Sequence, residues 1–353
     1  MMGGDILFVG RKQELNLLEK LKQKETASLV CILGRRRIGK SSLVEQFASS
    51  YKQFISIQGL APAPGLTNQD QLDHFSRRIA VLFKKDPILF TNWTDALFKL
   101  ADYTKKGKFL VFFDEISWMG RKDPTFASCL KEVWDIGFKK NNKLMLILCG
   151  SVSTWIEDNI LKNTSFEGRI SLEINLQELS LPEVNLFWKQ KHYTVSSFEK
   201  MMVLSVTGGV PKYLEEILDT ETAEKNLMRL CFTKEGFLFN DFSKIFTEIF
   251  ERKAPGLEKI VRVCLMEKLS PAELAERLHR SQNQELIHHI HILELAGFLS
   301  RDYYYKAEGQ ISKLSHLRVK DNYLRFYIKH IEPLCDQIKR GGKIMKSYKE
   351  IKG

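Results

Sequence analysis

The chain has 353 residues, enough for two or three domains at roughly 100–200 residues each. Hydrophobic residues make up 44% and charged residues 27%, which excludes wholesale disorder, collagen-like repeats and a coiled-coil rod. Lys and Arg number 54 against 43 Asp and Glu, and the resulting +11 attracts polyanions such as ATP, nucleic acid or acidic proteins.

No apolar run approaches the roughly 18 residues of a membrane span. Arg11 arrives too early for a secretory signal. Six cysteines (Cys31, Cys129, Cys149, Cys231, Cys264 and Cys335) form no CxxC pair and read as reduced core residues. A cytoplasmic protein without a membrane partner is the expectation.

In chain order, short apolar strands at 28–33, 54–57, 109–113, 144–149 and 170–174 alternate with amphipathic helices at 41–50, 71–83, 93–103 and 126–138. That alternation predicts an α/β core with a parallel sheet covered on both faces, over 1–176. Two prolines and a glycine mark 61–68 as a surface loop. Beyond 176 the strand signal stops. Helical spacing at 182–190, 197–207, 212–218 and 221–231, broken at Gly208, Gly209 and Pro211, predicts a helical lid over 177–245.

Three further helices then follow, at 257–266, 271–279 and 282–296. The second opens on Ser270-Pro271-Ala272-Glu273, a capping box with a first-turn proline, and the third stops at Gly297. Strand pieces at 298–301, 303–305 and 314–319 complete the pattern of a winged helix-turn-helix over 246–335. A basic tail, 336–353, holds Lys339, Arg340, Lys343, Lys346, Lys349 and Lys352, and reads first as a solvated segment and second as a phosphate-binding arm.

The most informative segment is Gly34-Arg35-Arg36-Arg37-Ile38-Gly39-Lys40-Ser41, a complete G-x-x-x-x-G-K-[ST] between a predicted strand and a predicted helix that continues with Ser42. Glycines let successive N–H groups turn inward around phosphates, and the helix N-terminus adds positive dipole. Lys40 is expected on the β- and γ-phosphates and Ser41 on Mg²⁺. The strand 109–113 delivers Asp114 to hold the metal and Glu115 as base for the attacking water. ATP and Mg²⁺ are therefore the expected cofactors. The closest approach to a guanine-reading N-K-x-D tetrad is Asn142-Lys143-Leu144-Met145, which lacks the aspartate and excludes GTP. Ser151, after the fourth strand, is a candidate for positioning water, while Ser153 better suits the role of helix cap.

Several separated segments together resemble the STAND-type ATPases of the AAA+ lineage, in their archaeal-type branch. These are Phe8-Val9-Gly10-Arg11-Lys12-Gln13-Glu14, the arginine-rich P-loop, Asp114-Glu115, the region from Pro124 to Trp134-Asp135, Gly150-Ser151, Glu167-Gly168-Arg169, Thr207-Gly208-Gly209-Val210-Pro211 and Lys320-Asp321-Asn322-Tyr323-Leu324-Arg325-Phe326. The resemblance implies that Val9, Gly10 and Arg11 lie by the adenine, with a structural role equally open for Arg11. It implies that Pro211 senses the nucleotide from the lid, and that Arg169 approaches a γ-phosphate, in its own subunit or as a finger toward a neighbour in a homo-oligomer. Arg35, Arg36 and Arg37 either bind phosphate or face solvent or a partner. Relatives often carry a nuclease-like domain after the winged helix, and no nuclease activity is expected here.

From Ser281 to Ser300 there is no Lys or Arg, so base readout by the third helix is disfavoured. Gln282, Asn283 and Gln284 are its only base-reading candidates, while Glu285 and Glu294 would repel the backbone. Arg301, Lys306, Lys313 and Arg318 leave a non-specific DNA contact through wing and tail open. His288, His289 and His291 do not share a helical face and are not read as a metal site. The expected function is a slow, partner-regulated Mg-ATPase switch coupled to a winged helix that binds a protein partner. The alternative is an ATP-regulated DNA-binding regulator or initiator-like protein, and a small-molecule kinase fits poorly.

Overall fold

In the computed structural model, residues 8–150, 154–245, 254–281, 283–305 and 310–342 are described. The predicted Ser151, Ser153, Gln282 and Lys306 and the tail from Lys343 onward lie outside them. The chain divides into two compact units. The first comprises Met1–Gly34 with Gly39–Leu176, and the second Arg35–Ile38 with Gln177–Gly353. The division cuts through the phosphate-binding motif.

The first unit is a five-stranded parallel sheet in the order β2-β3-β4-β1-β5, with β1 Ser28–Leu33, β2 Gln53–Gln58, β3 Phe109–Asp114, β4 Met145–Cys149 and β5 Ile170–Asn175. Strands β1 and β4 are buried throughout, and β3 until its terminal aspartate. Their sequences SLVCIL, MLILC and FLVFF read as continuous apolar runs because both sheet faces are covered. The flanking strands β2 and β5 are less covered, with Ile55 and Ile57 buried in the first and Ile174 alone in the second.

Helices α1 Lys12–Lys22, α2 Lys40–Ala48, α3 Asn68–Phe83, α4 Trp93–Tyr103, α5 Ile116–Gly120, α6 Phe126–Ile136 and α7 Thr154–Ile156 complete this unit. Thr67 opens α3 with a capping box and Asn92 caps α4 through the Asp95 N–H, so both starts are written in the sequence. The loop read at 61–68 ends at that Thr67 cap. Helix α1 is an addition to the sequence reading. Its polar composition hides a single buried stripe, Leu18 and Leu21. Because the sheet is parallel, Gly34, Asp114 and Gly150 all emerge at one edge, and β4 lies between the strands that deliver the first two.

The second unit contains α8 Leu181–Gln190, α9 Ser197–Thr207, α10 Pro211–Glu215 and α11 Ala223–Cys231. It continues with α12 Ala254–Met266, α13 Pro271–Arg277, α14 Gln284–Leu295, β6 Leu299–Tyr305, β7 Ile311–Val319, α15 Asn322–Phe326 and α16 Cys335–Lys339. Strands β6 and β7 pair antiparallel, Leu299 opposite Val319, so the three strand pieces of the sequence reading become one hairpin. Ser270 and Glu273 form the anticipated capping box of α13. Among the described residues no helix is long and apolar enough to cross a membrane.

Candidate nucleotide-binding site

Helix α2 starts directly from the phosphate-binding motif. Gly39 stands at φ 90° and Gly34 at φ 151°, left-handed conformations in which a side chain would be strained. Lys40 is buried and its Nζ donates to the Gly34 carbonyl at 3.0 Å, closing the loop on itself. One residue on, Ser41 Oγ donates to Asp114 Oδ2 at 2.8 Å, so the loop and the end of β3 meet through one hydrogen bond. The backbone N–H of Glu115 donates to Asp114 Oδ1 at 3.0 Å, which leaves both carboxylate oxygens oriented. Ser42 is half-buried in the first turn of α2.

Glu115 adopts φ 47° and ψ 50°, a left-handed conformation uncommon for a non-glycine residue, and precedes α5. A Cβ placed on Gly150 would stand 3.9 Å from Glu115 Oε2, so this carboxylate reaches the end of β4 where the chain leads on to Ser151. Cys149 completes the environment. Burial raises its thiol pKa, Lys40 opposes the shift, and the nearby carboxylates add to it, Asp114 also through a hydrogen bond. Among the described residues no group of three or more His, Cys, Asp and Glu forms a metal cage. A hydroxyl and one carboxylate oxygen are nevertheless the hard, sparse donor set that suits Mg²⁺, which keeps waters and phosphate oxygens as its remaining ligands.

The middle of the motif points elsewhere. Arg35 is buried, against the reading of a solvent-facing side chain. Its Nη1 pairs with Asp321 and, at 3.2 Å, with Glu178 Oε1, and its guanidinium lies over the rings of Tyr213 and Phe298. Burial works against the Arg35 charge, but Asp321, Tyr213 and Glu178 outweigh it and raise the pKa. Arg37, at φ 71°, pairs with the buried Asp241 and covers the Phe237 ring. Ile38 is fully buried and Arg36 half-buried.

Glu178 is the residue that sequence reasoning missed. Its Oε2 accepts the Gly209 N–H at 3.0 Å while Oε1 holds Arg35, so one carboxylate serves both the G-G-x-P motif and the phosphate loop. Gly209 cannot be replaced there, since a Cβ would stand 2.2 Å from the Leu179 carbonyl. Pro211 opens α10 behind Val210. Asp321 lies within a quoted motif, but its partner is 286 residues away and leaves no local signal.

Arg169 departs from the expectation of a γ-phosphate contact in its own subunit. It precedes β5, where Ile170 is level with Leu29, whereas Gly34 follows the other end of β1. Five residues at about 3.3 Å each put these levels ~17 Å apart, beyond the reach of one arginine side chain. Arg169 instead makes a bidentate pair with Asp135, at 2.8 and 2.9 Å, which Lys131 joins at 3.1 Å. The arginine holds the Asp135 carboxyl below its ordinary range, chiefly by hydrogen bonding. Val9 and Arg11 are buried before α1, with Gly10 and Arg11 both at positive φ and Arg11 Nη1 3.8 Å from Glu14 Oε1. Met145, the residue at the fourth position of Asn142-Lys143-Leu144-Met145, is buried in β4.

Comparison with known proteins follows the same outline. An uncharacterized protein of Methanocaldococcus jannaschii is 22% identical over 339 residues, covering 95% of this chain and 71% of its own. An uncharacterized ATP-binding protein of the same organism is 41% identical over 51 residues, 14% of this chain and 86% of its own. Among solved structures, the Walker-type ATPase of Pyrococcus abyssi superposes with a TM-score of 0.60 at 17% identity, over 90% of this chain and 95% of that one. The ORC2 protein of Aeropyrum pernix, solved as ADPNP–ADP complexes, gives 0.53 at 13% identity, over 96% and 97%. At such identities the likeness is one of fold. Residues 8–217, more than half the sequence, match the model of the ATPase domain found predominantly in Archaea, and the chain belongs to that family.

Proposed function

We propose that the protein is a Mg²⁺-dependent ATPase that works as a conformational switch of the STAND/AAA+ type. The observation that carries this reading is the division of one loop. Gly34, Lys40 and Ser41 stay with the sheet and Asp114, while Arg35 and Arg37 are tied to Asp321, Glu178 and Asp241. Any change in backbone that accompanies nucleotide binding at the first set is transmitted along the chain to the second.

In this reading Lys40 gives up its bond to the Gly34 carbonyl and neutralises the β- and γ-phosphates, with loop N–H groups directed inward. Magnesium, held by Ser41 and Asp114, would neutralise further phosphate charge. Glu115 accepts a proton from the attacking water, and its constrained backbone keeps the carboxylate at the end of β4, where Ser151 is proposed to orient the same water. Arg169 is proposed to serve a neighbouring subunit, presented by Asp135. The helices 181–231 act as a lid carrying Pro211, and the helices and hairpin of 254–319 act as a winged helix.

This winged helix favours a protein partner over DNA. Arg301 is engaged by Glu294 at 2.8 Å and Arg318 by Asp302 at 3.0 Å, so two of the wing's cations are already neutralised. The test is Glu115→Gln, which is expected to retain ATP while turnover falls by about 10²–10⁴-fold. Undiminished turnover, measured as phosphate release, removes Glu115 from its role. Failure of the wild type to take up Mg·ATP in calorimetry removes the function altogether.

A further inference from the structure

The edge of the sheet opposite the phosphate loop has no part in the ATPase reading, yet it gathers eight lysines in four short connections. Four connections lead into β1, β2, β3 and β4 through residues 23–27, 49–52, 104–108 and 137–144. Lys105, Lys106 and Lys108 precede β3, and Lys139, Lys140 and Lys143 precede β4. Lys24 precedes β1 and Lys52 precedes β2. All of these are exposed, and Glu25 is the sole acid in the four segments. The strands are adjacent and their starts are in register, with Gln53 opposite Phe109, and Leu110 and Ser28 both opposite Met145. The lysines therefore form one row.

Internal needs do not account for this row. Of its members only Lys105 has a carboxylate within ion-pair distance among the described residues, Asp102 at 2.8 Å. Lys108 leans over the Tyr51 ring. A lysine near a helix C-terminus answers the helix dipole, but Lys106, Lys108 and Lys143 come after their helices have ended. The row is also held firmly. The buried Asn141 donates to the carbonyls of Thr104 and Gly107, at 2.7 and 2.9 Å, and so fastens the two richest loops together.

We propose that this edge is a docking surface for the phosphate backbone of duplex nucleic acid, bound without regard to sequence. Four strands at about 4.8 Å spacing span ~14 Å. Duplex DNA carries one charge per ~1.7 Å of axis, or about eight over that length, which is the number of lysines in the row. The composition selects the ligand. Lysine is a point charge for phosphate, without the planar fork used on guanine. Phe138 and Leu144 are buried and Tyr51 is half-buried beneath lysines, so the row offers neither a stacking platform for single strands nor an apolar wedge for a bilayer. The surface lies one strand length from the phosphate loop and does not rest on the proposed ATPase reading.

The test uses the full chain and a short fluorescent duplex titrated at several salt concentrations. Wild type should bind, and Lys106→Ala/Lys108→Ala/Lys140→Ala/Lys143→Ala should reduce the magnitude of the log K against log[salt] slope by about 0.9 per lysine. Its melting temperature and ATP turnover should match wild type. An equal charge change placed in the second unit, Lys189→Ala/Lys225→Ala/Lys234→Ala/Lys268→Ala, should leave the slope nearly unchanged. Equal losses from the two quadruple variants would reduce the effect to net charge and overturn the proposal. So would absence of duplex binding at low salt, or row-dependent capture by anionic phosphatidylglycerol vesicles with none by duplex.

Discussion

The two halves of the phosphate-binding loop, eight consecutive residues, follow different physical rules. Gly34, Gly39, Lys40 and Ser41 are governed by backbone geometry: positive φ at the glycines, a lysine folded back on a carbonyl, a hydroxyl on Asp114. Arg35 and Arg37 are governed by charge burial, each paired with an aspartate about 1% exposed. The first half is built for a ligand that comes and goes. The second resembles a structural ion pair, for which removing one partner costs more than the pair contributes. The proposed switch rests on this contrast within one loop.

The largest expected effect breaks the first half. Lys40→Ala should weaken Mg·ATP binding by about 100-fold or more, the loss of a charge-assisted contact worth ~3 kcal/mol, read by calorimetry. Next is the second half. Arg35→Met strands Asp321 and should destabilise the protein by about 3–5 kcal/mol in urea. Adding Asp321→Asn should recover most of that, since asparagine keeps the oxygen that accepts the Leu324 N–H at 2.7 Å. Failure to recover would mean that the pair is not the unit of stability.

Arg37 sharpens the contrast. Arg37 is 18% exposed against 6% for Arg35, and water can reach the Asp241 site more readily, so Arg37→Ala should cost less than Arg35→Met. Arg37→Gly should be milder than Arg37→Ala by about 1 kcal/mol, because glycine accepts φ 71° without strain. Equal losses would show that the left-handed backbone relaxes. The smallest effect lies at Asp135. Its folded-state pKa is lowered, so its contribution is present above the unfolded value and is lost as pH falls through the folded one. Asp135→Asn should lower stability slightly near neutrality, and its difference from wild type should vanish as pH falls through the folded-state value, read by urea melts across pH.

Much of the core was legible beforehand. Strands β1, β3 and β4 announced themselves as unbroken apolar runs, and the G-x-x-x-x-G-K-S sequence located the loop to the residue. Helix α1 escaped because its buried stripe is only two leucines wide. The arginines of the loop could not be assigned from sequence, since phosphate, solvent and carboxylate all suit a guanidinium. Which of its two readings Arg169 allows depends on the sheet, because a motif does not state at which edge of a sheet it will lie.

Local chain chemistry by itself determined the strand and helix alternation, the capping boxes at Thr67 and Ser270, and the lysine–serine step of a nucleotide loop, because each depends on neighbours within a few residues. Tertiary structure alone decided that Arg35 meets Asp321, that Glu178 joins Gly209 to the loop, and that lysines from four connections stand in one row. Those outcomes depend on partners tens to hundreds of residues away. Coulombic attraction acts through space and is blind to sequence distance, so only the folded arrangement selects among the carboxylates available.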